Sequence, residues 1–304
     1  MNSIYSDNRL ALGLMRLKDI SVEELENIIE GALSMGVSFF DISDVYCRHE
    51  SEIKLGEVIK RNPDLRTRMI IQSKCGIVKE DNIFPHYDLS EDHIKNSLKA
   101  SLERMHLSYL DSYLLHRPDI FMDNKEISRS FNSLYDNGLV HHFGVSNMDV
   151  SQIEYLKKED GEHPLECCQL QLGLGQLSLL SQTFNANNPE ENHLNTDGLF
   201  FYIKKEGLAL QCWSPYQYGF FKGSIFKVPE LKKTQDLLKE LALKYKTTDC
   251  AIATSFLTDL GPFVQVITGS MNLSHIKESL EGTKIKLTKE DWYRLYASTG
   301  HLLP

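Results

Sequence analysis

The sequence predicts an α/β protein whose strands close into a (β/α)8 TIM barrel. Eight short apolar runs alternate along the 304 residues with stretches in which apolar side chains recur at helical spacing. The connections between consecutive runs are long enough for the right-handed crossovers that join parallel strands. A doubly wound dinucleotide fold, the alternative, would carry Gly-x-Gly-x-x-Gly directly after its first strand, but residues 12–17 contain only Gly13. Residues 1–304 are therefore expected to form a single barrel domain.

The first strand-helix-strand unit illustrates the pattern. Residues 9–17 form the first predicted strand. Ser21 and Glu24 then have the Ser-x-x-Glu spacing of a helix capping box, and Gly36 ends the predicted helix. Residues 37–40 are an apolar, aromatic run that is typical of a strand buried on both faces.

The same alternation continues to the carboxyl terminus. Strands are predicted at 69–74, 110–116, 140–146, 165–172, 208–213 and 263–267, and helices at 50–60, from 90, at 126–135, from 149, at 199–205, at 231–245 and from 273. Two segments do not fit the repeat: the polar residues 178–195 and the aromatic residues 215–221. Loops that follow barrel strands line the active face, so both segments are expected there.

Composition and charge exclude several classes of function. Hydrophobic residues make up 41% of the chain and charged residues 25%, which is ordinary for a globular protein. The formal net charge of −9 disfavours nucleic acid as a partner, because phosphate backbones are bound by clustered Lys and Arg. No apolar stretch approaches the roughly 20 residues of a membrane span, and the first residues lack the pattern of a signal peptide. A cytoplasmic location is therefore expected.

The spacing of cysteine and histidine does not indicate a metal site. The six cysteines include no Cys-x-x-Cys pair, so reduced thiols are expected. The pairs His49-Glu50 and His141-His142 have no third ligand at a suitable spacing. No metal is therefore expected at a functional site.

Ionisable residues stand at the ends of three consecutive predicted strands. Asp41 ends the second strand, Lys74 the third and His116 the fourth, and Tyr46 follows Asp41 by five positions. Because the carboxyl ends of barrel strands lie at one rim, these four side chains are expected to converge. A buried Asp is costly unless a cation meets it, and Lys74 would supply that cation.

This set of groups is suited to protonating an alkoxide as it forms. A tyrosine with an ordinary pKa of about 10 is a poor proton donor, but an adjacent lysine cation is expected to lower the pKa of Tyr46 toward the working range. Asp41 would keep Lys74 charged, and His116 would hydrogen-bond a substrate carbonyl oxygen. Tyr46 is thus the predicted general acid.

Over nearly the whole chain, these residues resemble the motifs of the aldo-keto reductase superfamily. Residues 40–47 are similar to the family's Phe-Asp-Thr-Ala-Asp-x-Tyr-Gly, and residues 143–147 match its Gly-Val-Ser-Asn stretch. Residues 73–74 and 114–118 correspond to the strand ends that carry its lysine and histidine. The resemblance implies NAD(P)H-dependent reduction of a small-molecule carbonyl by a (β/α)8 barrel. The catalytic tetrad that it implies is Asp41, Tyr46, Lys74 and His116.

The resemblance also implies residues that bind the nicotinamide half of the cofactor. Ser146, Asn147 and Gln169 would hold the carboxamide. Trp213 would stack on one face of the ring and leave the other face free to deliver hydride. The loop along the pyrophosphate would begin with Ser214, Pro215 and Tyr216.

The adenosine end is assigned to residues 268–279, called the adenosine segment below, in which a helix start near Leu273 would turn backbone N–H groups toward phosphate. His275 stands where the family often has an arginine for the 2′-phosphate, and a histidine is mostly neutral at pH 7. NADP(H) is therefore expected to be preferred modestly, with NAD(H) as the alternative. Contacts in this segment are implied for Gly269, Ser270, His275, Glu278 and Ser279.

Two other functions stay open from the sequence. Lys74 could form a Schiff base, as the lysine of a barrel aldolase does. The chain could also be a regulatory barrel that keeps the cofactor but has little turnover, although the intact tetrad argues against this.

Overall fold

The computed structural model of the chain describes residues 4–158, 163–184 and 198–303. The strands are β1 (Leu10–Gly13), β2 (Phe39–Asp41), β3 (Ile70–Cys75), β4 (Ile77–Val78), β5 (His86–Tyr87), β6 (Leu110–Leu115), β7 (Val140–Ser146), β8 (Leu165–Gln171), β9 (Ala209–Trp213) and β10 (Val264–Thr268). Eight of them form a closed barrel in the spatial order β1-β10-β9-β8-β7-β6-β3-β2, and the pairings recorded within it are parallel. The predicted (β/α)8 barrel is confirmed.

Helices alternate with these strands as the sequence predicts. They are α1 (Val22–Ser34), α2 (Glu50–Arg61), α3 (Glu91–Met105), α4 (Asn124–Asp136), α5 (Val150–Lys157), α6 (Ser178–Phe184), α7 (Leu199–Glu206), α8 (Lys232–Tyr245), α9 (Asp249–Thr258), α10 (Leu273–Gly282) and α11 (Lys289–Ser298). The capping box of α1 is confirmed, because Ser21 Oγ accepts from the Glu24 N–H at 3.2 Å and the Glu24 carboxylate accepts from the Ser21 N–H at 2.8 Å. Within the described residues, no helix has both the length and the apolar character needed to cross a membrane.

The chain divides into two compact units. One comprises Ala11–Gln169 with Gly269–Leu273 and is called the tetrad unit here, because it contains the four predicted catalytic residues. The other comprises Met1–Leu10, Leu170–Thr268 and Ser274–Pro304 and is called the second unit. The single-domain expectation stays a prediction.

Polar side chains are buried on several strands, which the apolar-run pattern did not predict. In the tetrad unit, Ser112 Oγ on β6 donates to Gln72 Oε1 on β3 at 3.0 Å. In the second unit, Gln211 Nε2 on β9 donates to Gln265 Oε1 on β10 at 2.7 Å. All four side chains are completely buried, and each gains the hydrogen bond that makes burial of a polar group tolerable.

Several elements differ from the sequence prediction. The first strand ends at Gly13, four residues before the predicted end, and the hairpin of β4 and β5 was not predicted. Helix α9 was also missed because it is buried all round and lacks an amphipathic period. The polar segment 178–195 begins with α6, and its remainder from 185 lies outside the described residues.

Candidate active site

The side chains of Asp41, Lys74 and Tyr46 meet at the carboxyl ends of β2 and β3. The Lys74 ammonium is completely buried and donates to Asp41 Oδ2 at 2.8 Å, to the Ile42 carbonyl oxygen at 2.8 Å and to the Tyr46 hydroxyl oxygen at 3.1 Å. The predicted partner of the buried acid is therefore present. These three residues, with His116, are called the tetrad corner below.

Asp41 is held from three sides. Besides Lys74, the amides of Gln72 and Gln169 donate to Asp41 Oδ1 at 2.7 Å and 3.0 Å. A buried carboxylate with charge-assisted hydrogen bonds to both oxygens cannot rotate without losing several of them. Asp41 thus fixes the position of the Lys74 ammonium. Sequence reasoning missed Gln72, although a polar residue inside a buried strand was an available signal.

The protonation states of this corner follow from burial and from the ion pair. Burial raises the pKa of Tyr46 above its ordinary value, and the Lys74 cation opposes that rise without cancelling it. The expectation that Lys74 brings the pKa of Tyr46 below that ordinary value is therefore wrong in its net direction, because desolvation dominates. Burial alone would lower the pKa of Lys74, but the Asp41 carboxylate and the Tyr46 oxygen raise it above the ordinary value.

His116 lies directly after β6, the strand next to β3. Its ring is edge-on to the ring of Tyr46, with 5.8 Å between ring centroids and an interplanar angle of 80°. Burial and the nearby cations Lys74 and Arg117 hold the pKa of His116 well below its ordinary value. The imidazole is therefore neutral at pH 7. The four predicted tetrad residues are brought together by the structure.

Ser146, Asn147 and Gln169 also lie together in the tetrad unit. Ser146 Oγ donates to the Gln169 carbonyl oxygen at 3.0 Å, and the Asn147 backbone N–H donates to the same oxygen at 2.9 Å. Asn147 has a φ of 58° and donates through Nδ2 to the His116 carbonyl oxygen at 3.2 Å. The Gln169 amide, predicted to hold the carboxamide, donates here to Asp41. These contacts connect the three predicted carboxamide ligands to the tetrad corner.

The chain after Tyr46 is unusual in its backbone. Cys47, Arg48 and His49 have φ values of 49°, 54° and 69°, in the left-handed region that costs non-glycine residues free energy. The family pattern has glycine at the position of Cys47. Here Cys47 Sγ donates to the Met15 carbonyl oxygen at 3.3 Å, a contact that glycine could not make.

In the second unit, Trp213 ends β9 and contacts the aromatic loop that follows. Its ring is stacked with Phe221 at a centroid distance of 6.2 Å and is edge-on to Phe220 at 6.3 Å. Phe220 and Phe221 are themselves exposed. Next to Trp213, Ser214 has a φ of 48°. The loop begins with a strained turn and carries a cluster of aromatic rings.

The loops after β8 and β9 are packed together by two glycines. A side chain at Gly173 would collide with the Pro215 carbonyl, and one at Gly175 with the backbone of Gln217 and Tyr218. The Gly219 N–H donates to the Gly175 carbonyl oxygen at 2.9 Å. The spacing of these glycines, which imitates part of a dinucleotide motif, is thus explained by close approach of two backbones.

The predicted ligands of the adenosine segment differ in exposure. His275 is exposed and Glu278 is half-buried, whereas Ser279 is completely buried. The Ser279 hydroxyl accepts from the Tyr216 hydroxyl at 2.8 Å and donates to the His275 carbonyl oxygen at 2.9 Å. Helix α10 begins at Leu273, as predicted. Gly269 and Ser270 precede it, and Ser270 Oγ accepts from the Asn272 N–H at 3.2 Å.

Sequence reasoning placed Thr268, the last residue of β10, in the adenosine segment but did not predict a cofactor contact for it. Its hydroxyl oxygen is buried and has no hydrogen-bond partner in the part of the chain that the structure describes. A buried hydroxyl without a partner costs about 1–3 kcal/mol, which a bound polar ligand would offset. Its position at a strand end, directly before Gly269, was the available signal.

Comparisons with known proteins show which family the chain belongs to. The model of the Aldo/keto reductase family matches residues 9–298. Oxidoreductase YdhF of Escherichia coli (strain K12) is 29% identical over 308 residues, covering 98% of this chain and 95% of YdhF. A 6-dehydroglucose reductase of Agrobacterium fabrum is 26% identical, covering 95% of this chain and 93% of that protein. The structure of a thermostable aldo-keto reductase, Tm1743, solved with the inhibitor epalrestat, matches with a TM-score of 0.75 at 25% identity, covering 95% of this chain and 94% of that one. The chain therefore belongs to the aldo/keto reductase family of NAD(P)H-dependent oxidoreductases.

Proposed function

We propose that the chain reduces an aldehyde or a ketone to the alcohol, with Tyr46 as the general acid. The observation that carries this proposal is the Lys74 ammonium, which is completely buried and 3.1 Å from the Tyr46 hydroxyl oxygen. A cation in that position stabilises the phenolate that remains once the phenol has given up its proton. The aldo/keto reductase family supports the same reaction class.

The proton of Tyr46 is available at neutral pH. Its raised pKa keeps the phenol protonated until a stronger base appears, and an alkoxide is such a base. When bound, the reduced nicotinamide supplies the hydride that converts the carbonyl carbon to that of an alkoxide. Tyr46 then transfers its proton to the alkoxide oxygen, and Lys74 holds the phenolate that is left. Asp41 keeps the ammonium charged and in place.

His116 is proposed to bind the carbonyl oxygen before the transfer. Its imidazole is neutral, so a ring N–H can donate without placing a third positive charge beside Lys74 and Arg117. The edge-on contact with Tyr46 keeps both donors at one corner. Two preorganised donors on one oxygen stabilise the negative charge that develops there.

The residues for the cofactor are proposed from the family resemblance, and two observations support them. Thr268, the first residue of the adenosine segment, has a buried hydroxyl with no hydrogen-bond partner among the described residues. Ser146 and Asn147 are connected by hydrogen bonds to the backbone of Gln169 and His116, next to the tetrad. The other proposed contacts are those of Trp213, Ser214, Pro215, Tyr216, Gly269, Ser270, His275, Glu278 and Ser279. A modest preference for NADP(H) over NAD(H) is proposed, because His275 gives 2′-phosphate a weaker partner than arginine would.

The two alternative functions are less well supported. Schiff-base formation requires a neutral amine, but the pKa of Lys74 is raised and its nitrogen already donates to three oxygens. A regulatory barrel with little turnover would not need the buried ion pair that this chain retains.

A carbonyl panel tests the proposal. Purified protein with NADPH or NADH is given aldehydes and ketones. The panel includes 6-dehydroglucose, because one relative is named a 6-dehydroglucose reductase. Loss of nicotinamide absorbance and formation of the alcohol are expected for at least one compound. Quenching of tryptophan fluorescence by the cofactor, with no carbonyl reduced, would favour the regulatory barrel. A borohydride-trapped adduct on Lys74 would favour the aldolase.

A further inference from the structure

The side chain of Ser43 lies between the imidazole of His116 and the carboxyl group of Asp44. Its Oγ is 3.0 Å from His116 Nδ1 and 3.0 Å from Asp44 Oδ1. Ser43 is completely buried and Asp44 is 5% exposed. A hydroxyl group has one hydrogen, so Ser43 can donate to only one of these two neighbours at a time.

This geometry permits two arrangements of hydrogen atoms. When Asp44 is ionised it can only accept, so Ser43 donates to Asp44 and accepts from the Nδ1–H of His116. The neutral ring then has a bare Nε2. When Asp44 is protonated, its O–H donates to Ser43 and the Ser43 hydroxyl donates to Nδ1, so the ring hydrogen is on Nε2.

One added proton converts the first arrangement into the second. The proton binds Nε2, the Nδ1 hydrogen moves to Ser43 Oγ, and the Ser43 hydrogen moves to Asp44 Oδ1. The set gains one hydrogen, and the imidazole is neutral before and after. The low pKa of His116 is consistent with a ring that stays neutral in both arrangements.

We propose that Ser43 is a positioning residue that couples the protonation of Asp44 to the tautomer of His116, and thereby controls whether Nε2 can donate to a substrate carbonyl oxygen. This inference rests on the proposed carbonyl reduction and adds a control on its hydrogen-bond donor. The family pattern has alanine at the position of Ser43, which could not form this connection.

The surroundings of Asp44 allow it to change charge near neutral pH. Burial and the neighbouring Glu52 raise the pKa of Asp44 to about 7, against the Ser43 hydroxyl, the Val45 N–H and the Arg104 cation. Glu52 has its own partners: Arg104 Nε at 2.8 Å and Ser73 Oγ at 2.8 Å. Unlike Glu52, Asp44 forms no ion pair within 4 Å among the residues that the structure describes.

The other titratable groups that face this connection do not carry a competing charge change. Burial and Asp44 itself raise the pKa values of the Cys75 thiol and the Tyr113 phenol, so both stay neutral at pH 7. On the side of His116, the charged neighbours are Lys74 and Arg117, and Tyr46 contributes a protonated phenol. Asp44 is therefore the group in this set that gains or loses a proton near pH 7.

The test is the tautomer of His116, read from the side-chain ¹⁵N resonances of the full chain labelled at histidine. The unmodified protein is expected to pass from Nε2–H at pH 5.5 to Nδ1–H at pH 8.5, with a midpoint near the pKa of Asp44. Ser43→Ala should abolish this transition and Ser43→Thr, which keeps the hydroxyl, should retain it. Asp44→Asn should also abolish the tautomer transition, and it still tests the coupling if Ser43→Thr does not fold. A single tautomer throughout the pH range in the unmodified chain, or an unchanged transition in Ser43→Ala, would overturn the proposal.

A kinetic profile provides the second readout. For a single ionisation near pH 7, kcat/KM for reduction should fall about tenfold from pH 6 to pH 8 in the unmodified protein. In Ser43→Ala the fall should shrink to less than about twofold. The resonances are measured without substrate, so a chain that reduces no carbonyl can still show the tautomer change. A fixed tautomer in an active reductase would defeat the coupling alone.

Discussion

The tetrad corner and the adenosine segment use charged and polar groups in opposite ways. Lys74 and Asp41 are buried, in contact with each other, and bonded to further donors and acceptors. His275 is exposed at the start of α10, and Glu278 is half-buried one turn later. A buried ion pair is costly to break, whereas an exposed charge contributes about 0–1 kcal/mol to an interaction. We therefore expect the proposed chemistry to be fixed more firmly than the proposed choice of cofactor.

Lys74→Met should have the largest effect. It leaves Asp41 as an uncompensated buried charge, which costs about 3–5 kcal/mol of stability, and it removes the cation that opposes the rise in the pKa of Tyr46. Carbonyl reduction should fall by about 10² or more, with a changed pH-rate profile. Urea unfolding and kinetics measure the two losses. The double variant Asp41→Asn/Lys74→Met should regain stability without regaining activity. A native rate and profile in Lys74→Met would reduce Lys74 to a structural residue.

Tyr46→Phe isolates the chemical step. The ring and its packing remain while the proton donor is lost, so turnover should fall by about 10² or more and cofactor binding should be nearly unchanged. Fluorescence titration and single-turnover reduction measure the two quantities. Tyr113→Phe is the matched control, because that tyrosine is completely buried and has no role in the proposed proton transfer. Near-native turnover in Tyr46→Phe would contradict the mechanism.

Asp44→Asn tests a second buried acid, Asp44, through its effect on the stability of the folded protein. The folded-state pKa of about 7 lies above the unfolded value, so the folded protein holds a proton that the unfolded chain releases from about pH 4. Stability is expected to fall as pH rises from 4 to 7, and the loss, of order a few kcal/mol, is complete above pH 7. The variant should remove that loss and be more stable than the parent at pH 8. Urea midpoints at pH 5 and pH 8 measure the effect. Asp64→Asn, at an exposed position, is the control: it keeps Asp44 and should therefore lose stability between pH 5 and pH 8 as the parent does.

The smallest effect is expected in the adenosine segment. NADPH should bind only modestly more tightly than NADH, because His275 gives the 2′-phosphate a weaker partner than arginine would. His275→Arg should strengthen NADPH binding roughly two- to fivefold, the scale of an exposed ion pair. Titration of both cofactors at pH 6 and pH 8 measures this. Tighter NADH binding at both values would mean that α10 recognises a ribose hydroxyl.

Much of the fold was readable from the sequence because its signals are local. The apolar runs, the Ser21 capping box and the stop at Gly36 each depend on neighbours within a few residues, and they predicted most elements of the barrel. Helix α9 escaped because burial on all sides removes the amphipathic period. The polar bonds of Gln72 with Asp41 and Ser112 escaped because their partners lie 31 and 40 positions away along the chain.

By itself the sequence determined which groups could meet, because parallel strands bring their carboxyl ends to one rim and Asp41, Lys74 and His116 each end a strand. Only the tertiary structure decided their protonation. Burial, which no local pattern measures, raises the pKa of Tyr46 despite Lys74 and raises that of Asp44 to about 7. The tertiary structure also placed Ser43 between His116 and Asp44. The contact of Ser43 with His116 joins residues 73 positions apart and depends on how β2 and β6 flank β3. Desolvation and long-range contacts are properties of the packed chain, and they set the charges on which the chemistry depends.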